Sequence, residues 1–262
     1  MPAVPPVDAL ELARLLGPAS AWGPIEVVES TGSTNDDVMR RPDAPSGLVR
    51  VAGHQTRGKG RFDRTWQDAP GMAVAVSMVV RPQRPVAQWG WLSLLTGMAV
   101  AEALRGLGRR AGAGAARVGL KWPNDVLIDG AKVCGVLSQT DGEMVVLGWG
   151  LNVSMSREEL PVEGATSLSL AGWPTDKTAL VAAVLQETQN YYELWCGGHD
   201  MRSWCGGQLA TIGRQVRVER VERIDGAVEG HAVGLDETGA LLVDVPGVGV
   251  TAFEAGDVTH VR

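Results

Sequence analysis

The 262-residue chain is poor in cysteine and lysine, has no surplus of positive charge and contains no long apolar run. Three cysteines, an odd number in a chain this long, do not make a disulfide framework. The longest apolar stretch, 72–80, is nine residues and includes Ser77, whereas a membrane-spanning helix needs about 20. The N-terminus has neither a basic segment nor an apolar segment, so it does not read as a secretory leader. Lys and Arg number 24 against 30 Asp and Glu, a net charge of −6. That excludes a chain-wide basic surface for nucleic acid, and any anion site has to be local. Only Lys59, Lys121, Lys132 and Lys177 stand beside twenty arginines. Arginine is the default cation here, so a retained lysine marks a place where an ammonium is needed. Lys177, at a helix start, is the bland exception. Together these features predict a soluble cytoplasmic protein.

What is present suits a packed fold. Hydrophobic residues make up 45%. Glycine and proline together reach about 18%, under the roughly 25–30% of low-complexity chains. The length allows one large domain, or a medium and a small one. Helical spacing follows Asp8 over 8–16, and Ser33 or Thr34 opens a short helix over 33–39. Strands are predicted at 25–30, 47–53 and 72–80, and a long core helix at 89–107. A loop is expected at 109–116 and successive strands over 117–153, with hairpin signals at Asp129-Gly130 and Asp141-Gly142. An amphipathic helix follows at 176–195. After Trp204 the texture changes to short β-branched runs separated by Asp225-Gly226, Thr238-Gly239 and Pro246-Gly247, the pattern of a small all-β barrel. CGG at 205–207 reads as a hinge.

Four stretches carry chemistry. Residues 57–64 hold four cations and one anion, a charge of +3 in an acidic protein. Gly58 and Gly60 let backbone approach a ligand, and guanidinium groups suit phosphate and carboxylate. The stretch reads equally as an anion-gripping loop or as a solvated basic turn. It is neither a P-loop nor a dinucleotide fingerprint. KWPND at 121–125 places Lys121 at a strand end before a proline, aimed into a site or, more plainly, at a surface turn. Gly135, Gly148 and Gly150 inside predicted strands mark either a pocket floor or tight packing. Ser33, Thr34 and Asn35 form either an ordinary helix cap or a holder for a polar head group.

Taken together, STN at 33–35, GHQTRGKGRFDRTW at 53–66, KWPND at 121–125, KVCGVL at 132–137 and GWGLNV at 148–153 resemble the biotin protein ligases in order and spacing. The resemblance covers roughly residues 25–170, with a small β domain after it. It implies an α+β fold: a mixed β-sheet catalytic domain with helices on one face over 1–207, and an SH3-like β-barrel over 208–262. It also implies a two-step reaction. Biotin and MgATP give biotinyl-5′-adenylate, and a lysine of a biotin carboxyl carrier protein domain then takes the biotin. By motif, Arg61 and Lys121 would be catalytic, offsetting the repulsion between the biotin carboxylate and the triphosphate. Ser33, Thr34, Asn35, Gln55, Gly58, Lys59, Gly148 and Gly150, with Arg61 and Lys121, would bind biotin. Lys59, Arg61, Arg64, Trp66, Asn124, Lys132 and Asn152 would bind ATP and the adenylate. Mg²⁺ would arrive on ATP, with no protein ligand assigned. Lipoate or octanoate ligation and a non-catalytic biotin sensor are the alternatives.

The chain departs from the family pattern at Lys59, where arginine is usual, at Asp63, where glycine is usual, and at Cys134, where a small residue is usual. Only 32 residues precede Ser33, too few for an N-terminal DNA-binding domain, so no operator binding is expected. A monomer or weak homodimer with no membrane partner is expected. Cys196, His199 and Cys205 offer three irregularly spaced candidate ligands, a poor metal set. His54 reads as structural or site-lining. Trp66, Trp122 and Trp149 are expected to border the pocket, and the other tryptophans to pack in the core, on the surface or at the domain junction.

Overall fold

The computed structural model describes residues 6–112, 117–219 and 226–261. Helix α1 (Ala9–Leu16) starts where Asp8 accepts hydrogen bonds from the Leu10 and Glu11 N–H groups. Strand β1 (Ile25–Val28) leads to α2 (Thr34–Met39) and β2 (Val49–Ala52). A two-residue hairpin, β3 (Gly58–Lys59) and β4 (Thr65–Trp66), carries the basic loop. Then come β5 (Ala73–Val80), α3 (Trp91–Arg110), β6 (Val118–Lys121), β7 (Asp125–Ile128), β8 (Ala131–Thr140) and β9 (Val145–Asn152). Helices α4 (Lys177–Cys196) and α5 (Met201–Gly206) precede β10 (Gln215–Glu219), β11 (Val228–Leu235), β12 (Leu241–Val245), β13 (Gly249–Phe253) and β14 (Asp257–His260).

Seven strands form a mixed sheet in the order β1-β2-β5-β9-β8-β7-β6. Only β1 and β2 run parallel. The central strands β5 and β9 are buried along their whole length. Because side chains alternate along a strand, the two faces differ. Val76 and Met78 of β5 and Leu147, Trp149 and Leu151 of β9 join the main core with α3 and α4. The opposite face presents Ser77, Gly148 and Gly150, and the short α2 covers part of it. Thus the long helices share one face, as expected, and leave the other open.

The last five strands form an antiparallel sheet, order β13-β12-β11-β10-β14, in agreement with the expected small β domain. It is not packed separately. Val216, Val218, Leu241, Val243 and Val258 belong to the same continuous core as α3 and α4. Trp122 Nε1 donates to the Gly239 carbonyl at 3.2 Å and Trp91 Nε1 to that of Glu237 at 3.0 Å. A fully buried side chain of this size contributes about 1.5–3 kcal/mol through burial alone.

Three expectations change. CGG at 205–207 is not a free linker: Cys205 and Gly206 end α5, which Asp200 caps, and Cys205 is fully buried. Trp122 turns into the core against the C-terminal sheet and does not line the cleft, whereas Trp149, packed in the main core from β9, still borders it. Helix α3 runs on to Arg110, into the expected 109–116 loop. Residues 113–116, Asp225 of the predicted Asp225-Gly226 turn and the first five residues of the leader reading lie outside the described residues. Among the described residues no helix is long and apolar enough to cross a membrane.

Candidate active site

The open sheet face, α2, the basic hairpin, residues 161–165 and β14 enclose a cleft of about 750 Å³. Alternation in β6 points Val118 and Leu120 into the core and Lys121 the other way. Gly97 of α3 allows the close approach that holds this strand. A Cβ there would lie 2.6 Å from Leu120 Cδ1. Lys121 thus reaches the cleft from a well-anchored strand, with no hydrogen bond or ion pair among the described residues. Five cations (Lys59, Arg61, Arg64, Lys121, Lys132) line the cleft, against Asp125, Glu163 and Asp257.

The other cations are engaged. Lys59 pairs with Asp36 at 2.7 Å and Lys132 with Asp125 at 2.6 Å. Arg64 pairs with Asp257 of the C-terminal sheet, and Arg61 Nη1 donates to the Gly256 carbonyl at 3.3 Å. Burial lowers the Arg61 pKa from its ordinary value, opposed by Asp257 and Asp125. Burial pushes the Asp257 carboxyl up, but Arg64, Lys121 and Arg61 prevail and hold it below the usual range. Burial, aided by Lys121 and Arg214, lowers His260 to about 4, so its neutral ring meets Thr211 Oγ1 at 3.3 Å. Thr211 also accepts the Trp122 N–H at 3.0 Å, which ties the KWPND turn to the second sheet.

The deep end of the cleft is a hydrogen-bonded cluster. Ser33 caps α2 through the Asp36 N–H. Gln55 Oε1 accepts from Thr34 N at 2.8 Å and Thr34 Oγ1 at 3.1 Å. Ser77 donates to Thr34 Oγ1 at 2.8 Å or to Asn35 Oδ1 at 2.6 Å. The Asn35 amide donates to Leu137 O and Gln139 Oε1. The strand glycines fit these neighbours. A Cβ at Gly148 would come 2.1 Å from Asn35 Oδ1, and one at Gly150 would come 2.7 Å from the Trp66 ring.

A family profile described as biotin/lipoate A/B protein ligase matches residues 25–152, and one for the biotin protein ligase C-terminal domain matches 211–261. A biotin–[acetyl-CoA-carboxylase] ligase of Mycobacterium tuberculosis is 37% identical over 98% of this chain and 97% of its own length. The chain belongs to the biotin protein ligase family. A bifunctional ligase/repressor of Bacillus spizizenii is 31% identical, over 84% of this chain and 68% of that protein. A solved biotin protein ligase from Aquifex aeolicus, in complex with biotin and ATP, shares the fold. Its TM-score is 0.76 at 24% identity, covering 92% of this chain and all of that one.

Against the family motifs, the cleft gathers Ser33, Thr34, Asn35, Gln55, Lys59, Arg61, Arg64, Trp66, Lys121, Asn124, Lys132, Gly148, Gly150 and Asn152. Gly58 is the exception. It does not line the cleft but is buried between its neighbours, where a Cβ would meet the Trp66 carbonyl at 2.8 Å and Gln55 Nε2 at 3.0 Å. Asn124 and Asn152 line the cleft, but their amides already donate to Val136 O and Thr166 O. Cys134 is buried, and burial raises its pKa well above the ordinary thiol value. Among the described residues no group of three or more His, Cys, Asp or Glu is placed to hold a metal ion. The motifs missed Asp68, Ser77, Asp257, His260 and the 161–165 wall. Asp257 and His260 lie in an unremarkable β run, and no local signal places them near residue 64.

Proposed function

We propose that this chain ligates biotin to a carrier protein in two steps within the one cleft. A biotin carboxylate oxygen attacks the α-phosphorus of MgATP; the bond to the β-phosphate oxygen breaks and pyrophosphate leaves. A lysine ε-amine of a biotin carboxyl carrier domain then attacks the acyl carbon of biotinyl-5′-adenylate, losing a proton as AMP departs. The observation that supports this best is Lys121, an ammonium with no hydrogen bond or ion pair among the described residues, facing a cleft where the other cations already have partners. An unpaired charge is available to the carboxylate and phosphate as they approach, where preorganised charge is most effective. Arg61 is the second catalytic cation. The Thr34–Gln55–Asn35 cluster would take the polar ring of biotin, and Gly148 and Gly150 the wall beside it. Lys59, Arg64, Trp66, Lys132 and Asn152 would surround the adenylate. Asn124 would stand beside the adenylate, and both Asn35 and Asn124 also brace β8 through Leu137 O and Val136 O. We place the division between the two units at 207/208, the C-cap of α5, and take the enzyme to work as a cytoplasmic monomer or weak homodimer.

Pyrophosphate release from MgATP, with biotin, lipoate or octanoate offered separately and no carrier, tests the reading. A biotin-only signal is expected. A lipoate or octanoate signal in its place would move the chain to the sister activity. Silence with measurable biotin binding would make it a sensor.

Asp63 offers a second test. Its φ of +56° lies in the left-handed region, which glycine enters freely. Its charge opposes the four cations of the loop. Asp63→Gly should tighten MgATP binding about 2–5-fold by calorimetry, the effect of removing one partly screened repulsion. Equal or weaker affinity would show that the aspartate does no harm.

A further inference from the structure

A buried acid that the two-step scheme does not use sits at the foot of the basic loop. The Asp68 side chain has no exposed surface. A carboxylate in such a place has to be compensated by donors. Three residues converge on it. His54 Nδ1 and the Gln55 N–H, at 3.4 Å, meet Oδ1, and the indole N–H of Trp66 meets Oδ2 at 3.2 Å. His54 and Gln55 precede the loop at 57–64, and Trp66 follows it. One carboxylate therefore joins the two ends of the loop. It also sets two walls of the cleft, because Trp66 lies against Gly150 and Gly135 and Gln55 holds Thr34. The turn after Asp68 is anchored too. Gly71 N–H donates to Gly53 O at 3.2 Å, and the buried Lys177 ammonium donates to Gly71 O at 2.6 Å.

We propose that Asp68 is a positioning residue of the ligation site: its buried carboxylate, seated against His54, clamps the ends of the basic loop and sets where Gln55 and Trp66 stand. The kinetic part of its test rests on the ligase reading. The proteolytic part does not.

Asp68→Asn and His54→Gln in the full chain make the test. Asparagine replaces one acceptor oxygen by a donor that faces donors, while His54→Gln keeps the carboxylate and removes only its imidazole partner. His54→Gln therefore keeps the proposal testable even where Asp68→Asn fails to fold. Trypsin cleavage after Arg57, Lys59, Arg61 and Arg64, followed by mass spectrometry, should be about tenfold faster in both variants, the size expected for a lost buried hydrogen bond. Cleavage elsewhere should be unchanged. The KM for biotin should rise by about the same factor, with kcat within about threefold of the parent. A merely smaller folded fraction would lower kcat and leave KM alone. Cleavage raised equally along the whole chain, or loop cleavage and KM both unchanged, would overturn the proposal. A parent protein silent in the pyrophosphate assay would sink the ligase reading instead, and the trypsin result would still decide the clamp.

Discussion

Lys121→Ala should slow biotin-dependent pyrophosphate release about 10²–10³-fold, the range set by loss of one preorganised charge donor. Little stability should go with it. Among the described residues Lys121 has no hydrogen bond or ion pair to lose, and substitutions of that kind fall within about 0.5 kcal/mol. The separation of the two effects is the useful part. Leu120, fully buried against α3, and the β6–β7 pairing hold the strand whatever residue follows. Lys121→Arg should recover only part of the rate, because a planar fork does not replace a compact ammonium at the same reach. Single-turnover adenylation decides the point. A rate near that of the parent would remove Lys121 from the reaction.

Gly148→Ala should cost both fold and function. The added Cβ would stand 2.1 Å from Asn35 Oδ1, a distance no relaxation of the methyl can absorb. Asn35 cannot easily retreat, because its amide is held at both ends by Ser77, Leu137 and Gln139. Overpacking costs about 1–3 kcal/mol, and leaving buried partners unpaired costs about 1–3 kcal/mol more. Denaturant unfolding should register a loss of about 2–6 kcal/mol from these two effects. The shift of α2 should weaken biotin binding alongside. An alanine variant of parental stability and affinity would show that α2 slides without cost.

The regular elements were readable because their causes are local. Asp8 and Ser33 cap α1 and α2 as their side chains suggest. Asp129, at φ +49°, and Gly130, at +83°, form the turn expected between β7 and β8. The strand glycines were readable as tight spots. What crowds Gly148 and Gly150 is the protein itself, an asparagine from α2 and an indole from the basic hairpin. Helix α5 was missed because its cap, Asp200, is followed by only six helical residues, the last a glycine with another glycine after it, a pattern a loop shares.

Sequence alone determined the family, the order of the two sheets and most of the residues that line the cleft, since motif spacing and side-chain periodicity are properties of neighbouring positions. Only the tertiary structure decided which of those residues are spoken for. Asp257 lies 193 positions from the arginine it pairs with, Gly256 lies 195 from Arg61, and Trp122 reaches Gly239 across 117. Partners so distant in the chain leave no periodic trace. Yet in a partly desolvated cleft they determine which cation remains unpaired, because each fixed aspartate offsets the charge nearest to it. That distribution of partners distinguishes Lys121 from Arg61 and Arg64, while Lys59 and Lys132 find theirs nearer in the chain, at Asp36 and Asp125.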